Sequence, residues 1–220
     1  MLNKFDIVDK YAEYALTTFT RLKTEYNLGD DVMFTVPSIR EYMLNEYENR
    51  YVQNCDCIQS MMTEINCDYL LEESFMCTKY DKYDICKGNN MCYRIILPKY
   101  HISEILIGDT EEHDIETYIE ESIKHEIGHV LHVKDIINRY GDDQAEEILN
   151  NEDTEFFLKY DEFLGLMDEG EDTLTEYQYQ KAVIKKYYSM SPELDANNLG
   201  KVDVEKLIEL ELKVRIGLHE

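Results

Sequence analysis

From Ile115 onward the chain sets an apolar side chain every three or four residues: Ile115, Tyr118/Ile119, Ile123, Ile127, Val130/Leu131 and Ile137, with Gly141 as a stop signal. That period predicts one long helix, starting after Gly108-Asp109-Thr110 and ending near Gly141. A helix of that length with an apolar stripe has to be covered by other layers, so it is expected to be central. A second helical period, from Phe5 to Tyr26, is closed by Gly29, and Ser38 can cap a helix to about Tyr51, with a short one over Ile58 to Ile65. The segments 74–80, 83–86 and 91–97 read as strands, the last two joined by the hairpin-type Lys87-Gly88-Asn89-Asn90, and Ile102 to Ile107 reads as a further, edge-like strand. Two more helices are expected near 143–165 and 173–188. Ser191-Pro192 then supplies an N-cap and a first-turn proline for a last helix towards Leu212. The expected fold is α+β, a small, mainly antiparallel sheet packed against helices. One domain spans 1–220, with a helical N-terminal layer to about 70 and the sheet and helical core from about 71.

Composition narrows the classes of function. The chain carries 22 Lys+Arg against 47 Asp+Glu, a formal charge of −25. Without a basic stripe to release phosphate counterions, direct nucleic-acid binding is not expected, whereas a basic protein partner suits the charge. No apolar run reaches the roughly 18 residues of a membrane span, and the N-terminus shows no secretory signal, so a cytoplasmic protein is expected. Six cysteines fall between Cys55 and Cys92 without C-x-x-C spacing. They read first as small buried hydrophobes with reduced thiols, with a second metal site or disulfides as alternatives.

The chemistry sits on the long helix, in His125-Glu126-Ile127-Gly128-His129. Four residues of helix turn the chain by a net 40° or so and rise about 6 Å, so the two imidazoles project from one face and can share a zinc ion. Glu126 lies about 100° round from His125, too far to be a ligand but within reach of zinc-bound water, the position of a general base. A third protein ligand is needed. Asp135 lies about 15 Å along the helix from His125, beyond reach, and His132, about 10 Å along, reads as a packing or supporting residue. Downstream, Ser191-Pro192-Glu193-Leu194-Asp195-Ala196-Asn197 sets Glu193 and Asn197 on one helical face. Glu193 can ligate while Asn197 hydrogen-bonds a ligating His, and Ala196 is small enough for helices to approach closely. Asp195 is the alternative ligand. The competing reading of Glu193 is an ordinary first-turn acid favoured by the helix dipole.

H-E-I-G-H followed by P-E-L-D-A-N-x-x-G resembles the ImmA/IrrE-type zinc metallopeptidases of bacteria, phages and mobile elements, over about Met91 to Leu212. The resemblance implies a zincin-like fold with one zinc per chain. It matches His125 and His129 to the zinc-binding histidines, Glu126 to the catalytic glutamate, Glu193 to the glutamate ligand and Asn197 to the polar residue four positions on. The stretch between His129 and Glu193 implies one or two inserted helices, and Leu199 stands where the family pattern has an aromatic residue. The resemblance also implies cleavage of a specific regulatory protein.

The expected function is therefore zinc-dependent hydrolysis of a peptide bond in a protein or peptide substrate, with Glu126 activating the water. An oxyanion donor is not assignable among 18 tyrosines, although Tyr187 and Tyr188 directly precede the ligand helix. Two other readings stand beside it. One is an acidic binding or inhibitor protein, a nucleic-acid mimic, with a non-catalytic zinc. The other is a purely structural zinc, which would require a fourth protein ligand.

Overall fold

The computed structural model describes residues 4–38, 41, 76–81, 92–106, 110–168 and 174–217. In chain order these form α1 (Lys4–Glu25), β1 (Val32–Thr35), β2 (Cys77–Asp81), β3 (Cys92–Ile96), α2 (Lys99–Ile105), α3 (Glu112–Tyr140), α4 (Asp142–Asp168), α5 (Glu176–Tyr188), α6 (Glu193–Gly200), α7 (Val204–Leu210) and a π-helical turn, Glu211–Ile216. The molecule is mostly helical with a small sheet, an α+β arrangement. The helices expected at 42–51 and 58–65, the strand at 83–86, the hairpin at 87–90 and four of the six cysteines lie outside the described residues. Cys77 and Cys92 lie on β2 and β3. Among the described residues no helix is long and apolar enough to cross a membrane.

Helix α3 follows the apolar period. Ile119, Ile123 and Ile127 are fully buried, each contributing roughly 1.5–3 kcal/mol of transfer free energy. Gly141 ends the helix at φ 78°, a backbone angle that favours glycine. One apolar cluster joins α3 to Leu22 of α1, Val32 of β1, Ile95 of β3, Ile102 of α2, Leu149 of α4 and Leu207 of α7. Lys134 of α3 pairs with Asp31 ahead of β1 at 2.6 Å, and Arg21 of α1 pairs with Glu120 at 2.8 Å. The expected cap at Ser38 is present: the Glu41 amide donates to Ser38 Oγ, and Glu41 Oε2 accepts from the Ser38 amide at 2.8 Å.

Five expectations are corrected. Among the described residues the sheet has the order β1-β3-β2 and is mixed rather than mainly antiparallel. β2 runs antiparallel to β3, but β1 runs parallel to it, pairing Val32 with Tyr93 and Thr35 with Ile96. β1 lies in a stretch expected to be wholly helical. At four residues it is too short to show alternation, and its parallel partner is some sixty positions away. The segment expected as an edge strand from Ile102 is helix α2, in which His101, Ile102 and Ile105 turn one buried face inward. The last helix is broken. Lys201 adopts a left-handed conformation after Gly200, and Asp203 recaps the chain by accepting from the Lys206 amide. Ser191 does not cap α6. Pro192 occupies that position, and the Ser191 hydroxyl donates to Asp195 Oδ2 at 2.9 Å.

Candidate metal centre

Helices α3 and α6 meet almost backbone to backbone. A Cβ placed on Gly128 would lie 1.9 Å from the Ala196 carbonyl oxygen, and one on Gly200 would lie 2.2 Å from that of Lys124. Ala196 is fully buried at this crossing, as its small size led us to expect. The hydroxyl of Tyr26, in the turn after α1, donates to the Gly200 carbonyl and holds the far end of α6. This proximity carries the first residue of α6, Glu193, onto the face of α3 that bears both histidines.

Glu193 Oε2 is 2.9 Å from His125 Nε2 and 3.3 Å from His129 Nε2, and the two nitrogens are 3.1 Å apart. Oε2 is buried, and no donor meets it in hydrogen-bond geometry. Asn197 Nδ2 donates to the Tyr188 carbonyl at 3.1 Å, which leaves its Oδ1 facing His125 Nδ1 at 2.8 Å. Oδ1 can only accept, so Nδ1 carries a proton, and in the neutral ring that a metal ion requires the Nε2 lone pair points at Glu193. Electron pairs converging at this distance repel one another unless a cation lies among them. One proton bridges one pair, whereas a metal ion satisfies all three. Donors on one tetrahedral ion with bonds of about 2.0–2.1 Å are about 3.3–3.4 Å apart, so the triangle fits after opening by a few tenths of an ångström. His125, His129 and Glu193 thus form a group able to hold a metal ion.

The electrostatics point the same way. Burial disfavours charge on His125, but the close Glu193 carboxylate and the charge of Glu126 more than offset it and raise the imidazole to about 9. Burial would also raise the Glu193 carboxyl, yet the two imidazoles outweigh it and hold that group well below the usual carboxylate range. The pocket stabilises positive charge, and an entering metal ion displaces a proton from it. The side chains of His125 and Glu193 are 7% and 8% exposed, whereas that of His129 is 21% exposed, so the centre opens to solvent on the His129 side. Glu126 is buried next to His125 on α3. Beside Glu193 stands Tyr187, packed edge-on against Phe156 of α4 with ring centroids 5.3 Å apart. Burial and the charges of Glu193 and Glu126 push its phenol well above the ordinary value, so it remains protonated.

The rejected candidates have other partners. His132 Nε2 lies 2.8 Å from Glu152 Oε2 of α4, Asp135 pairs with Arg139 at 2.7 Å, and Asp195 takes the Ser191 hydroxyl. His132→Ala should cost about 1–2 kcal/mol in chemical denaturation and leave the metal stoichiometry of the purified protein unchanged. Loss of metal in that variant would put His132 among the ligands. The motif reading gave no role to Gly128 and Gly200, which set the helix separation, and noted Tyr188 only for its place before the ligand helix, whereas its ring stands edge-on to His125 at 5.3 Å. The small-residue spacing was a usable signal for the glycines. For Tyr188 the one local signal was its place directly before the ligand helix, which it shares with Tyr187.

No family model, curated protein or solved structure matches this chain.

Proposed function

We propose that the chain is a zinc-dependent metallopeptidase of zincin-like fold, resembling the ImmA/IrrE type, that cleaves a peptide bond in a protein substrate. The observation that carries this reading is the convergence of Glu193 Oε2, from a helix 64 positions further on, with the two Nε2 atoms of the H-E-x-x-H pair. Two imidazoles and a carboxylate are a ligand set suited to zinc. Among the described residues no fourth acid, thiol or imidazole joins them, which suits a catalytic rather than a closed structural site. Bound there, zinc supplies Lewis acidity, polarising a carbonyl and lowering the pKa of water.

The remaining steps belong to the protein. Glu126 takes the proton of the attacking water as its oxygen adds to the scissile carbonyl carbon. The same carboxyl then delivers that proton to the departing amine as the C–N bond breaks. Asn197 keeps the His125 ring turned so that Nε2 faces inward. The −25 charge favours encounter with a basic protein. Glu126→Gln tests the assignment. The variant should retain one zinc per chain by elemental analysis and show no cleavage of a proteome-derived peptide library read by mass spectrometry. Cleavage at the wild-type rate in that variant would remove Glu126 from the mechanism.

A further inference from the structure

Glu211 has no part in holding a metal, yet its carboxylate is buried, at 8% exposure, where the π-helical turn begins. A buried carboxylate is costly unless donors meet it, and π-helical turns are rare features that recur at functional sites. Here the Tyr188 hydroxyl donates to Glu211 Oε2 at 2.8 Å. The rest of Tyr188 faces the metal centre. Its ring stands at 82° to the His125 ring with centroids 5.3 Å apart, and its carbonyl accepts from Asn197 Nδ2. One residue thus touches the ligand His125 from the side and fixes the amide that sets its tautomer from behind. Glu211 in turn is seated by its neighbours Leu210 and Leu212, both buried in the core.

We infer that Tyr188, braced by Glu211, is a positioning residue that holds His125 and the Asn197 amide in the orientation needed to share a cation with His129 and Glu193. The inference rests on the metal-site reading above. Burial and the Glu211 charge push the Tyr188 phenol well above its ordinary value, so the hydroxyl keeps its proton and the direction of the hydrogen bond is fixed. Without the brace the end of α5 is free to shift, the Asn197 amide loses its reference carbonyl, and His125 can rotate or change tautomer. A merely structural tyrosine would behave differently: its loss would lower stability without weakening metal binding by the folded protein.

The test is Zn2+ affinity, measured by competition with a chromophoric chelator on the full chain, with circular dichroism confirming the fold of each variant. Tyr188→Phe and Glu211→Leu should each weaken Zn2+ binding by about 10–100-fold. Glu211→Gln, which keeps an acceptor for the hydroxyl, should recover most of what Glu211→Leu loses. Wild-type affinity in folded Tyr188→Phe and Glu211→Leu overturns the inference, as does a Glu211→Gln variant as weak as Glu211→Leu. If Tyr188→Phe does not fold, the two Glu211 variants decide. A wild-type chain that binds no Zn2+ would instead remove the metal site itself, an outcome distinct from unchanged affinity in the variants.

Discussion

Gly128→Ala should lower the melting temperature by roughly 4–8 °C and abolish tight metal binding, a large effect for one methyl group. In an exposed helix the change would stabilise the protein by about 1 kcal/mol, because alanine is the better helix former. The sign is reversed here by what the methyl meets. Its carbon would lie 1.9 Å from the Ala196 oxygen, 2.6 Å from the carbonyl carbon and 2.9 Å from the α-carbon, all backbone atoms with no rotamer to escape into. The helices must separate by more than an ångström, an overpacking cost of about 3 kcal/mol that exceeds the propensity gain. Separation also draws Glu193 away from the two imidazoles, so the metal is lost even where the chain still folds. Thermal melts with and without added Zn2+ read both effects. A variant that melts at the wild-type temperature and still gains stability from Zn2+ would mean that the two helices are not in backbone contact.

Glu193→Gln should weaken Zn2+ binding by about 10²–10³-fold while leaving a folded chain. Zinc sites of four protein ligands are worth about 10–16 kcal/mol, or roughly 2.5–4 kcal/mol for each ligand. The amide matches the carboxylate in shape, so the loss isolates charge and ligand basicity from packing. Added Zn2+ should raise the melting temperature of the wild-type protein by mass action and leave that of the variant nearly unchanged at the same concentration. Asp195→Asn is the matched control, since that carboxylate accepts from Ser191 and faces away from the centre. If Asp195→Asn lost the metal and Glu193→Gln kept it, the ligand assignment would have to be exchanged.

Much of this arrangement was legible because it is local. The three-to-four residue period of α3 and its closing glycine follow from helical geometry alone, as do the shared face of His125 and His129 and the offset of Glu126. Glu193 and Asn197 could be paired because four residues of helix align them. What failed was non-local or too short. β1 gave four residues and a parallel partner far along the chain. The segment from Ile102 has too few apolar positions to separate a period of two from one of 3.6, and the pattern after Gly200 runs on through a break made by the backbone of Lys201.

By itself the sequence determined which side chains could act and which of them share a helical face, because turn, rise and side-chain direction are properties of a few consecutive residues. Only the tertiary structure decided that Glu193 reaches the histidines, because that depends on two helices meeting at Gly128 and Gly200 with no side chain between them. It also decided the state of His125, through an amide held by Tyr188 and a tyrosine held by Glu211. Distances between segments are set by packing, and packing is summed over the whole chain.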